Sequence, residues 1–288
     1  MEKSNNNVDL SNSSKVYALF YSFFLIPLMI TIFGVLFFFL FKMLTYEKQD
    51  PYHLLNNINS GSLTKRWQSA YELSNLMSDT SKIPEDLLFL NQMVSMYKKS
   101  VHDDPRVRTY MALAMGQTEN KYFCEVLTNG LQDKNLENKI AAIKSLGLIK
   151  CEDSIDLINQ IIISNENNQI RLAAIISSGI ILDQSSLKAL KEVLNDEEAN
   201  LRWDAALSLA KLGDNSGYYI IKKLLDRDYY TNFPQVDQQE IDKSILTILG
   251  LVSKIQNKEF KNELEKLANN EKNIKIREFA MKILYEYY

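Results

Sequence analysis

The chain has 288 residues, a formal net charge of −3 and 46% hydrophobic residues, enough for a sizeable core. An acidic balance of this kind lacks the basic footprint that nucleic-acid binding requires, so no nucleic-acid partner is expected. The two cysteines, Cys124 and Cys151, are too few for a disulfide framework and read as small core residues.

Residues 1–15 are polar and rich in Ser and Asn, a composition that predicts disorder. From Val16 to Phe41 there is no charge: VYALFYSFFLIPLMITIFGVLFFFLF. About 20 apolar residues cross the hydrocarbon core as a helix, so a transmembrane helix is expected over 16–44, with membrane contact through 16–41. The run exceeds a signal-peptide core, and Phe41-Lys42-Met43-Leu44 offers no small-residue cleavage site. Lys15 and Lys42 bracket it, and Tyr17, Tyr21 and Tyr46 occupy interfacial places. Basic residues are nearly balanced across the span. Lys65 and Arg66 tip the expectation towards a repeat body in the cytoplasm, on a bacterial inner membrane.

Residues 45–60 read as a juxtamembrane segment and 61–288 as one domain. Apolar residues there recur at helical spacing without sustained period-two alternation, which predicts an all-α body. Breaks such as LQDKN, SNENN and GDNSG separate the helices.

One phrase recurs: RWQSAYELS from Arg66, RTYMALAMG from Arg108, KIAAIKSLG from Lys139, RLAAIISSG from Arg171 and RWDAALSLA from Arg202. A weaker DKSILTILG starts at Asp242, and REFAMKILY starts at Arg277. We number each nine-residue frame from its first residue. A cation opens most frames, small residues follow three or four places on, and a small residue (Ser74, Gly116, Gly147, Gly179, Ala210, Gly250) stands at position nine. A second amphipathic helix follows each frame, as in DSIDLINQIII or SLKALKEVL. A helical pair of about 31 residues cannot bury its own apolar face, so such units stack as an α-solenoid. About six to seven hairpins are expected after the N-terminal helix.

These frames resemble HEAT repeats, in the short variety named after phycobilisome lyases, across residues 51–288. The N-terminal part, FFLIPLMITIFGVLFFFLFKMLTYEKQDPYHLLNNINSGSLTKRWQSAYELS, is similar to bacterial membrane-anchored HEAT-repeat proteins, in which one membrane helix is followed directly by the array. The resemblance implies an ion-pair ladder: an acid ahead of a frame pairs with the cation of a neighbouring repeat. Asp133, Asp196 and Glu271 stand six residues ahead of Lys139, Arg202 and Arg277. Asn165 holds that place before Arg171, which predicts a gap, and Asp242 replaces the cation of the sixth frame.

Arg66, Arg108, Lys139, Arg171, Arg202 and Arg277 are accordingly read as structural. So are Trp67 and Trp203, each covering a junction between helices. The period breaks at DRDYYTNFPQVDQQE, where Tyr229, Tyr230 and Phe233 are candidate partner contacts. His53 and His102 have no metal-ligand spacing, and no phosphate loop or nucleophile motif occurs. No catalytic residue, metal or cofactor is expected. The reading is a membrane-anchored scaffold or adaptor for a protein partner in a transport or envelope complex, with a tetrapyrrole-handling, lyase-like or chaperone-like protein as the alternative.

Overall fold

The computed structural model describes residues 20–44 and 50–288. The expected disorder of 1–15, the start of the apolar span and residues 45–49 lie outside the described residues. Two compact units result, up to Gln49 and from Asp50 to the end.

In the first unit, a π-helical turn over Tyr21–Leu25 runs into helix α1, Ile26–Leu44. Pro27 follows the π-helical turn directly, inside a continuous helix, so its missing N–H takes one bond from the ladder there. The Thr31 hydroxyl donates to the Pro27 carbonyl at 2.8 Å. Tyr21–Met43 is long and apolar enough to cross a membrane, with mean hydropathy 2.7 and none of it buried.

The second unit is an all-α solenoid. Among the described residues it holds fourteen α-helices in two layers. One layer comprises α2 (Pro51–Ser60), α4 (Leu87–Lys99), α6 (Cys124–Gly130), α8 (Ile155–Ile162), α10 (Leu187–Val193), α12 (Tyr218–Leu225) and α14 (Lys261–Asn270). The other holds the frames: α3 (Leu63–Leu76), α5 (Pro105–Gln117), α7 (Leu136–Ile149), α9 (Asn168–Ile181), α11 (Ala199–Lys211), α13 (Gln238–Ile255) and α15 (Ile274–Tyr287). Seven hairpins result. The frame helix closes each hairpin: α9 packs on α8 before it more than on α10 after it.

The body begins at Asp50, earlier than the expected boundary at 61. Asp50 accepts from the Tyr52 N–H and Pro51 starts the helix, while Leu54, Leu55 and Ile58 are buried. The supposed juxtamembrane segment is therefore the first helix of the stack. All frame helices but α11 start at side-chain caps, among them Asp104 for α5, Asn135 for α7, Asn167 for α9 and a reciprocal Asp237–Glu240 box for α13. Each cap satisfies an N–H that the helix leaves unpaired, worth about 1 kcal/mol. Past the frames the chain turns through left-handed backbone at the same repeat position, at Glu119, Lys150, Leu182 and Gly213. Only the last is glycine.

The cysteines correct the sequence reading. Cys124 and Cys151 form a disulfide with Cα atoms 5.8 Å apart, and no free cysteine remains. Cys124 begins α6 and Cys151 follows the end of α7. In an antiparallel hairpin those two points meet, so a separation of 27 residues becomes one covalent clasp.

Candidate functional site

The expected ladder is present, with changes of partner. Arg66 pairs with Asp103 at 2.8 Å, Arg108 with Asp133 at 2.6 Å, Lys139 with Glu166 at 2.7 Å and Arg171 with Asp196 at 2.6 Å. Each cation reaches the turn ahead of the next frame. The predicted gap at Asn165 is absent, because Glu166 beside it reaches Lys139. Arg108 also donates to the Tyr97 carbonyl at 2.8 Å and lies over the Tyr97 ring at 4.2 Å. Burial raises Asp196, but the Glu198 N–H and the Arg171 guanidinium outweigh it and hold its carboxyl below the usual range.

The ladder changes at the insertion. Among the described residues Arg202 pairs with no carboxylate and donates instead to the carbonyls of Asp196 and Glu197, at 2.7 and 2.8 Å. Arg277 likewise donates to the carbonyl of Glu271. The sixth frame's missing cation is supplied from the insertion: Arg227 grips Glu271 through two bonds of 3.1 and 2.9 Å and also holds Asp242. Asp242 is thus the acid partner of a relocated cation. Asn273 braces it from the other side at 2.7 Å. Burial raises Glu271, but Arg227 and the Asn273 N–H hold it below the usual carboxylate range.

The candidate contacts Tyr229, Tyr230 and Phe233 fold inward. Tyr230 is 3% exposed, and its hydroxyl meets the Leu224 carbonyl and Ser244, each at 2.9 Å. Phe233 packs edge-on against Trp203, with ring centroids 4.9 Å apart. Tyr229 packs on the same indole and accepts its N–H at 3.4 Å. Tyr230 is therefore unavailable to a partner. The insertion is a plug over the indole. Trp67 lies under the Arg106 guanidinium at 4.2 Å. Both tryptophans cover junctions and stand in separate repeats.

Between frame helices the chemistry is more regular than the sequence reading recognised. The serine at position seven donates to the position-five carbonyl of the preceding frame: Ser145 to Ala112 at 2.8 Å, Ser177 to Ile143 at 3.0 Å, Ser208 to Ile175 at 3.1 Å. The same serine sits against the position-nine glycine of that preceding frame. A Cβ on Gly116 would lie 2.6 Å from Ser145, and one on Gly147 would lie 2.8 Å from Ser177. The glycines allow the backbones to approach, and the hydroxyls use that approach to donate a second hydrogen bond to a helical carbonyl.

The pattern fails at the seam between α11 and α13. Ile248 stands where serine stood and Ala210 where glycine stood. An isoleucine neither donates nor permits the close approach. Gly250 borders the opening left here, and a Cβ on it would meet nothing within 4 Å. A cleft of about 920 Å³ opens here, walled by Leu207, Leu251, Ile255 and Asp204, with Lys211 and Lys254 also lining it. Asp204 is at position three of its frame, where the two preceding frames carry Ala141 and Ala173, both buried. It makes no hydrogen bond or ion pair with any described residue. Burial pushes its carboxyl up to about 6, with Lys211 pulling the other way. Sequence reading missed Asp204; comparing position three across the frames is the signal that finds it. Among the described residues no group of three or more His, Cys, Asp or Glu is arranged to hold a metal.

Comparison with known proteins agrees with this architecture. The HEAT-repeat profile matches residues 94–177 and 155–232. The complex of CpcE and CpcF of phycocyanin lyase from Nostoc sp. PCC7120 superposes with a TM-score of 0.55 at 17% identity, covering 84% of this chain and 89% of that one. An archaeal HEAT-like repeats protein from Thermococcus onnurineus NA1 gives 0.46 at 14% identity over 83% of this chain and 97% of that one. A designed armadillo repeat protein in complex with the peptide (KR)4 gives 0.44 at 13% identity over 84% and 100%. No curated protein sequence matches this chain significantly. The fold is an all-α, HEAT/armadillo-like solenoid with an N-terminal apolar helix.

Proposed function

We propose that this protein is a single-pass, membrane-anchored scaffold that holds a protein partner on the frame-helix layer, and that it works by binding and not by catalysis. The observation that carries the reading is an apolar stripe on that layer. Frame position six bears Tyr71, Leu113, Ile176 and Leu207; in the third frame Lys144 holds that position and Leu148, at position ten, supplies the apolar side chain. Tyr71 is 46% exposed, Leu148 and Ile176 36%. Positions six and ten are one helical turn apart, so these side chains share a face. Stacked repeats present such faces as continuous binding surfaces. A membrane transport or envelope complex is the partner class that an anchored scaffold serves.

The apolar helix Tyr21–Met43 supports anchoring by its length and composition. For orientation, the disulfide outweighs the charge bias. Disulfides form and persist in oxidising compartments and are rare in a reducing cytosol. The residues that tipped the charge balance belong to the folded body: Lys65 and Arg66 are in α3, and Arg66 is committed to Asp103. We therefore assign the body to the oxidising face, the reverse of the charge-based expectation. Protease added outside sealed spheroplasts should digest the body, and the cysteines should resist alkylation until reduced. A protected body with two free thiols would reverse the assignment.

The scaffold reading is tested by crosslinking the full chain in its membrane and co-purifying the adducts, with Ile176→Glu as the control. A defined partner lost from the variant supports it; an identical set of adducts from both contradicts it. The tetrapyrrole-handling alternative rests on likeness to a lyase structure at the level of fold. Adding a bilin to the full chain should leave the bilin absorbance unshifted; a saturable shift would restore that alternative.

A further inference from the structure

The cleft between α11 and α13 differs from every tight seam in two respects, and the two point the same way. First, it is an opening that the repeat pattern elsewhere removes. Ser145, Ser177 and Ser208 stitch successive frame helices together, and Ile248 ends the series. Second, an unpaired carboxylate sits in its wall at a position that is buried alanine in two preceding frames. A carboxylate in an apolar wall is costly unless something pairs with it. In the ladder, Asp133, Asp196 and Glu271 each hold an arginine. Asp204 makes no such ion pair among the described residues.

We propose that the cleft takes an apolar peptide segment of a partner protein that presents one lysine or arginine side chain to Asp204. This deepens the scaffold reading and rests on it. Charge complementarity selects the occupant. A single acid, Asp204, lies near Leu207, Leu251 and Ile255. Lys211 and Lys254 leave the lining with one more positive than negative charge, so a cation is matched only at Asp204 itself and the rest of the cleft disfavours cations. The occupant is therefore one cation amid apolar residues, flanked by neutral or acidic ones. From Thr247 to Ile255 the α13 wall spans about 12 Å at ~1.5 Å per residue, which accommodates roughly two helical turns or four extended residues. Leu182, 47% exposed, extends the apolar floor on the α9 side. Pairing would hold Asp204 ionised, so the ligand cation itself offsets the burial cost that raises this acid.

The test is panning of a random dodecapeptide phage library against the full chain in nanodiscs. The selected consensus is then synthesised and titrated by fluorescence anisotropy against wild type, Asp204→Asn and Leu251→Glu. Helical circular dichroism confirms that each variant is folded. The expected consensus is apolar with one Lys or Arg, and Asp204→Asn should weaken its binding about tenfold or more. Replacing the peptide cation with norleucine should produce a matching loss in wild type and no further loss in Asp204→Asn. Peptides that ignore both substitutions overturn the cleft and leave the scaffold reading standing. An anionic consensus overturns the choice of occupant. A library that yields no consensus counts against both.

Discussion

The seam between α7 and α9 and the seam between α11 and α13 are built from the same frame and behave differently. At the first, Gly147 lies against Ser177, and the serine hydroxyl bonds the Ile143 carbonyl at 3.0 Å. At the second, Ala210 and Ile248 hold the equivalent positions, no serine hydroxyl stands at position seven, and a cleft of about 920 Å³ remains. The lesson is that in a solenoid one residue per repeat sets how far helices stand apart. Small residues with a donor close the stack; a branched apolar residue opens it and creates space for a charge such as Asp204. The ladder obeys the same division. Arg66, Arg108, Lys139 and Arg171 each hold the next turn's acid, whereas beyond the insertion the cation comes from Arg227.

The largest effect that sharpens this comparison concerns the clasp on the tight side. Replacing both Cys124 and Cys151 with serine should lower stability by about 3 kcal/mol, the order expected for a loop of this length. Denaturant melts of the full chain in detergent, with and without reductant, check it: wild type should shift under reductant and the variant should not.

Next is the relocated cation. Arg227→Ala strands Glu271, which is 7% exposed, beside Asp242. A loss of about 2 kcal/mol is expected, with the last two hairpins unfolding first. Limited proteolysis should then cut within or after the insertion. Cleavage first near α5 would break the claim that Arg227 replaces the missing ladder rung.

The two sides should also respond to pH with opposite sign. Asp196, Asp242 and Glu271 are held below the usual range, so their contribution is present above about pH 4 and is lost as pH falls through their lower folded values. Asp204 is raised to about 6, so its cost is absent below about pH 4, grows between pH 4 and 6, and is full at pH 7. Asp204→Asn should therefore stabilise the protein by on the order of 1–2 kcal/mol at pH 7 and not at all near pH 3.5. Melts at the two pH values decide it; a gain that persists at low pH would assign the effect to something other than ionisation.

The smallest expected effect is at the left-handed turns. Gly213 takes this conformation freely, whereas Lys150, at φ 57°, does not. Lys150→Gly should raise stability by about 1 kcal/mol, read as a shift of the denaturation midpoint.

Much of the fold was legible because it is written by repetition. Six of the seven frames open with a cation and all seven carry small residues, and seven hairpins follow from them. The ladder was legible in kind, and its partners were not: Glu166 and Arg227 each sit off the fixed spacing, and only the turn geometry brings them to Lys139 and Glu271. The start of the body was hidden because Pro51–Ser60 is short and weakly patterned. The disulfide was hidden because 27 residues look distant until a hairpin folds the ends together. The aromatic insertion read as a surface loop, since composition does not tell that Tyr230 and Phe233 turn towards Trp203. Asp204 was missed because one acid on a helix is ordinary; it stands out only against Ala141 and Ala173 at the same repeat position.

The central claim is that position nine is a packing position in the tight seams and an open one beyond the insertion. The most direct measurement is a pair of denaturant melts on Gly147→Val and Gly250→Val in the full chain. A Cβ at Gly147 would also come within 3.0 Å of the Ser177 backbone, so about 3 kcal/mol or more should be lost there. At Gly250 the change should stay within about 0.5 kcal/mol. Equal losses at the two positions would contradict the account.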